Sequence, residues 1–74
     1  MNLKITKTEL VAWPYRVESE DSQHRTPEGY RQYTKIVDWL HENRIKYQYS
    51  YYSGTAIWHL KTEDQAMLFV LRWS

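Results

Sequence analysis

Ser53-Gly54, set between the runs Tyr47–Tyr52 and Thr55–Leu60, constrains the fold more than any other feature of this sequence. Two strand-like runs parted by two residues, the second a glycine, predict a β-hairpin, because glycine supplies the positive φ of a tight turn. The turn dictates the register. Tyr52 falls opposite Thr55, Tyr51 opposite Ala56, Ser50 opposite Ile57, Tyr49 opposite Trp58, Gln48 opposite His59 and Tyr47 opposite Leu60. Side chains alternate along a strand, so one face carries Tyr47, Tyr49, Tyr51, Ala56, Trp58 and Leu60. The other carries Lys46, Gln48, Ser50, Tyr52, Thr55, Ile57, His59 and Lys61. Most of the aromatics therefore share the side that a helix would cover. A two- or four-residue loop keeps this sorting, whereas a three-residue loop would mix the faces.

The sorting matters because the chain has few other means of holding together. Its 74 residues make one domain, taken as residues 1–74, with a small core. There is no cysteine, which removes disulfides and thiolate metal sites together. The remaining resources are large side chains, four Trp and seven Tyr, or a partner chain. Each aromatic buries about 150–250 Å², so a few suffice for a compact core. A homodimer is the other expectation.

Upstream, residues 2–17 are rich in β-branched and aromatic residues and read as one long bent strand or two short ones. Pro14 cannot donate to a sheet ladder and marks an edge, a bulge or a break. Residues 18–25 read as a polar loop carrying Glu18, Glu20 and Asp21. Thr26 then suits a helix N-cap and Pro27 the first helical position. Tyr30, Tyr33, Val37 and Leu40, with Ile36 beside them, form an apolar stripe at helical spacing. Arg31, Lys35, Asp38 and Glu42 form the solvated side, and the helix is expected to end near Asn43 or Arg44. After the hairpin, Thr62 and Gln65 have the spacing of a capping box, with Glu63 and Asp64 at the positive end of a helix. This favours a helix over about residues 63–72, with Ala66, Phe69 and Val70 inward and Met67, Leu71 and Trp73 flanking. The apolar run "MLFVLRW" also admits a strand.

The element order is then β-α-β-β-α, an α+β fold with two helices on one face of a small antiparallel sheet. It resembles a ferredoxin-type domain lacking its last strand. Tyr33, Val37, Leu40, Tyr47, Tyr49, Trp58, Leu60 and Phe69 are the expected core.

The formal charge is +1, from ten basic and nine acidic residues. That excludes neither contact with nucleic acid nor contact with protein, but it is not the strongly basic balance of a binder driven by phosphates. The first residues, "MNLKITKTEL", hold no apolar leader core, and the longest apolar run, "AMLFVL", is six residues, far short of a membrane span. A soluble, cytoplasmic protein without membrane contact is expected.

The segment "SGTAIWHLKTEDQAMLFVLRW" combines a Ser-Gly turn, a following Trp, an acidic pair and a closing AMLF-x-LRW pattern. In this combination it resembles small uncharacterised proteins of tailed bacteriophages. The resemblance covers about residues 53–73. It departs at Gln65, where those proteins more often have aspartate, and at His59, where an aromatic is commoner. It implies a viral origin, a complete short chain and residence in the cytoplasm of an infected bacterium. It carries no catalytic residues across.

Catalytic and metal chemistry have little to stand on. His24 with Asp21 makes two metal ligands at best. His41-Glu42 starts a zinc-protease pattern, but Ile45 stands where its second histidine belongs. The three histidines read as solvated or hydrogen-bonded, with no metal and no cofactor. There is no glycine-flanked serine, no thiol nucleophile and no phosphate-cradling loop. Glu18, Glu20 and Asp21 read as solvated carboxylates, and the expectation is a protein that is not an enzyme.

Binding is the remaining class. The outer hairpin face offers Gln48, Ser50, Tyr52, Ile57 and His59 to a protein partner, with Glu18, Glu20 and Asp21 as an acidic tongue for a basic groove. The expected partner is a host or antiviral-defence protein, modulated by being bound. One alternative is a single-stranded nucleic-acid module, stacking bases on Tyr52 and His59 between Lys46 and Lys61. The basic-Gly-aromatic run of the RNA-recognition domain is absent, however. A structural component of the virion is the other alternative.

Overall fold

The computed structural model describes residues 3–19 and 26–73. They form strands β1 (Leu3–Lys7) and β2 (Tyr15–Ser19), helix α1 (Pro27–Glu42), strands β3 (Tyr47–Tyr52) and β4 (Thr55–Leu60), and helix α2 (Glu63–Trp73). The sheet is antiparallel throughout, in the order β1-β2-β4-β3. The fold is α+β, as expected, with one strand more than expected at the N-terminal end.

Of the run predicted over 2–17, the described residues form two short strands rather than one bent one, parted at 8–14. Pro14 marks the break. Its carbonyl accepts from the Thr8 N–H at 2.6 Å, and the Trp13 carbonyl accepts from Thr8 Oγ1 at 3.1 Å. Thr8 thus closes the loop from both its backbone and its side chain. The second strand extends to Ser19, so Glu18 belongs to β2 and not to the polar loop predicted for 18–25. β2 to α2 then run in the predicted β-α-β-β-α order. β1 lies beside β2, the place that the closing strand of a ferredoxin-type domain takes beside its first strand. The missing last strand is thus supplied from the other end of the chain.

The hairpin has the predicted register at every pair from Tyr47↔Leu60 to Tyr52↔Thr55. Ser53 and Gly54 both have positive φ, 50° and 81°, the signature of a type I′ turn whose twist matches that of the strands. α1 begins as predicted, with Thr26 Oγ1 accepting from the Gly29 N–H at 3.0 Å and Pro27 in the first turn. It ends in a Schellman motif. The Ile45 N–H donates to the Leu40 carbonyl at 2.9 Å and the Arg44 N–H to that of His41 at 3.1 Å, with Arg44 left-handed at φ 56°. The buried pair Ile45 and Leu40 supplies the apolar contact such a motif favours.

The run "MLFVLRW" is helix. The Gln65 N–H donates to Thr62 Oγ1 at 3.1 Å, but Gln65 Oε1 is buried with no hydrogen-bond partner. Only one arm of the capping box is made.

Both helices pack on the same face of the sheet. The core joins Val17, Ile36, Leu40, Ile45, Trp58, Leu60, Ala66 and Phe69, with Tyr33, Val37, Tyr47, Tyr49 and Val70 packed around them. Trp58 is its hub. Its ring centroid lies 4.4 Å from Tyr49, 5.7 Å from Tyr47 and from Tyr33, and 5.5 Å from Phe69. Trp39 of α1 meets α2 edge-on at Phe69 and Trp73. Tyr30 leaves the predicted stripe and is exposed, as are Met67 and Leu71.

Candidate functional site

Because both helices cover one face, the opposite face of the sheet is left uncovered by them. Alternation and register assign its residues. One row across the strands reads Thr6, Arg16, His59, Gln48 and the next Lys4, Glu18, Ile57, Ser50, with Thr55 and Tyr52 beyond them. The structure thus brings together Gln48, Ser50, Tyr52, Ile57 and His59, and adds Glu18 through the pairing of β2 with β4. Glu20, Asp21 and His24 lie outside the described residues.

These residues differ in how far they reach solvent. Gln48, Ser50 and Tyr52 are exposed, Tyr52 at 74 % of its surface. His59 is half-buried, and Ile57 is buried at 9 % exposure between Glu18 and Ser50. Ile57 is therefore a floor to this face and not the projecting contact that alternation alone suggested.

Two charged members of the face, besides Thr6, were not identified from the sequence. Arg16 sits opposite His59 and Lys4 opposite Glu18. The Arg16 Nε approaches Glu18 Oε1 at 2.6 Å, yet it makes no directed hydrogen bond. The contact is Coulombic, and at this partial exposure it contributes at most about 1 kcal/mol. Burial, with Arg16 second, holds the His59 imidazole below its ordinary pKa. Its Nδ1 has no hydrogen-bond partner. The face thus carries two cations, Arg16 and Lys4, against one carboxylate, Glu18, which pairs with Arg16, and a histidine biased towards the neutral form.

Lys46 and Lys61 flank the hairpin's base, one before β3 and one after β4. The Lys61 ammonium lies 5.2 Å from the centroid of the Trp13 ring, a cation–π contact that draws it towards the 8–14 loop. The inner tyrosines are no site. Burial foremost, then Tyr33 and Tyr51, pushes the Tyr49 phenol up to about 12, and burial and Tyr33 raise that of Tyr47. Both stay neutral as core side chains. Among the described residues no three His, Asp or Glu side chains converge as metal ligands, and no helix is long and apolar enough to cross a membrane.

The fold and this face define a small α+β domain with one sheet face clothed by helices and, among the described residues, the other open. Comparison with family models, with curated proteins and with solved structures gives no match to the chain.

Proposed function

We propose that this chain is a small phage accessory protein that binds a host or antiviral-defence protein through the open face of its sheet and so inhibits it, with no chemistry of its own. The observation that carries the reading is the character of that face. It offers exposed polar groups from Gln48 and Ser50 and an exposed ring, Tyr52, around a buried apolar floor at Ile57. Glu18 is paired with Arg16 within the face, and Lys4 adds one further positive charge. Such a mixed surface, with an aromatic anchor, suits a protein partner. The phage setting, in the cytoplasm of an infected bacterium, rests on the C-terminal resemblance.

A single-stranded nucleic-acid module is the second reading, favoured by the exposure of Tyr52 and of Lys46. It has less support. A base-stacking sheet uses aromatics on its central strands, and here β2 and β4 present Arg16, Glu18, Thr55 and Ile57 outward, with the half-buried His59 as their one ring. One of its two lysines, Lys61, leans on Trp13.

The test is retention of a host protein from bacterial lysate by the immobilised chain, compared across variants. Tyr52→Ala and Gln48→Ala should each abolish retention, whereas Lys35→Ala on the exposed side of α1 should not. Retention indifferent to all three would overturn the reading. Binding to a mixed-sequence oligonucleotide that falls steeply with salt and is lost in Tyr52→Ala would establish the second reading instead.

A further inference from the structure

The sheet has two outer strands, β1 and β3, and they are built differently. β1, "LKITK", carries Lys4 and Lys7 in five residues, the kind of charge that discourages strand addition. β3, "YQYSYY", has no charge, no proline and no glycine in six. Among the described residues no strand lies beyond it. From this asymmetry we infer that β3 is a self-pairing edge, and that two copies of the chain join β3 to β3 in antiparallel fashion, centred on Tyr49, into one sheet with four strands from each copy.

The register follows from the turn. A two-residue turn makes Tyr52 and Thr55 a hydrogen-bonded pair, and such pairs alternate along an antiparallel ladder. Gln48, Ser50 and Tyr52 therefore direct their N–H and C=O groups towards β4. Tyr47, Tyr49 and Tyr51 direct theirs to the outer edge. A two-fold axis normal to the sheet keeps all four helices on one side and requires those outward-directed residues to face one another. The three are symmetric about Tyr49. Centring there sets Tyr49 against Tyr49 of the second copy and Tyr47 against its Tyr51, so all three take part. Centring on Ser50 leaves Tyr47 outside the ladder.

The side chains agree with this register on both faces. Under the helices it lines up a row of tyrosines, and aromatic cross-strand pairs stabilise antiparallel sheets. On the open face Gln48 meets Ser50 of the second copy, and the exposed Lys46 meets its exposed Tyr52, an ammonium set against a ring. No like charges oppose each other, because the strand carries none. The occupant is therefore a second copy and not a foreign strand: the strand's outward-directed residues complement themselves about their own midpoint. Pairing also doubles the open face about the two-fold axis.

The experiment is sedimentation of the full chain across a concentration series, with hydrogen exchange on the same samples. The mass should rise from 9.1 kDa to twice that value. Protection of the Tyr47, Tyr49 and Tyr51 amides should rise with it. The double variant Gln48→Lys/Ser50→Lys sets lysine against lysine twice and should weaken the dimer about tenfold. Gln48→Lys/Ser50→Glu sets opposite charges there and should restore it. Both positions are exposed, and circular dichroism verifies that each variant folds. A mass of 9.1 kDa up to the solubility limit overturns the proposal. So does a dimer that ignores both double variants but dissociates in Leu71→Lys, since Leu71 on the outward side of α2 is 79 % exposed and would then be the contact.

Discussion

Ser53 and His59 show how much a single side chain's setting decides. Ser53 has φ 50°, a left-handed conformation that serine adopts at a cost and asparagine tolerates better. Ser53→Asn should therefore stabilise the hairpin by about 0.5 kcal/mol, read as a higher urea midpoint at unchanged slope. His59 has its imidazole pKa lowered by burial and, second, by Arg16; its other charged neighbours by register and diagonal are Glu18 and Lys46. A histidine whose folded pKa lies below the unfolded value binds protons more readily when unfolded. Its contribution is complete above the unfolded pKa, is lost as pH falls through the folded pKa, and is constant below. His59→Gln should thus flatten the fall in melting temperature between neutral and mildly acid pH. An unchanged pH profile in that variant would show that the imidazole carries none of it.

Elements became legible where local chemistry sets them. Thr26-Pro27 announced the start of α1, and the hairpin register followed from Ser53-Gly54 and alternation, because each signal lies within a few residues of the structure it specifies. Thr26→Ala removes the hydroxyl that accepts from the Gly29 N–H and should cost about 1 kcal/mol. Thr26→Ser keeps the acceptor and should lie within a few tenths of the native value, and denaturant melts of the pair separate the cap from the residue's bulk. The end of α1 was located but not its form, since only the backbone reveals that Arg44 is the left-handed residue. Glycine belongs at that position, so Arg44→Gly should raise the unfolding free energy by about 0.5–1 kcal/mol, measured the same way. Glu18 was misread as loop because a charged residue on the open face of a sheet carries the same polarity signal as a loop. Tyr30 was read as part of the apolar stripe yet is exposed, because helical periodicity does not say how much of a stripe is covered.

At the scale of the whole molecule the sequence is least legible and the packing most consequential. That residue 16 lies beside residue 59 is set by strand pairing across the chain, so Arg16 and Lys4 could not be placed on the open face from local pattern, whereas Gln48, Ser50, Tyr52 and His59 could. The burial of Val17 and Ile45 has the same origin. The core's hub, Trp58, is tied to α2 through one side chain. Phe69 is fully buried, 5.5 Å from Trp58 of the sheet and 6.1 Å from Trp39 of α1, so it ties α2 to both other parts. Truncating a buried phenylalanine to alanine costs about 3–5 kcal/mol, and a domain this small holds only about 4–11 kcal/mol in all, at 0.05–0.15 kcal/mol per residue. Phe69→Ala should therefore lose most or all of its near-ultraviolet dichroism at 25 °C, because the domain unfolds and the Trp39 and Trp58 rings lose their fixed surroundings. Phe69→Leu fills most of the volume, should cost about 1–1.5 kcal/mol and should fold with a melting temperature lowered by about 4–12 °C. If Phe69→Ala kept its aromatic dichroism, α2 would be dispensable to the core. The sheet and α1 would then hold Trp58 by Tyr33, Tyr47 and Tyr49 alone, whose ring centroids lie 4.4–5.7 Å from it.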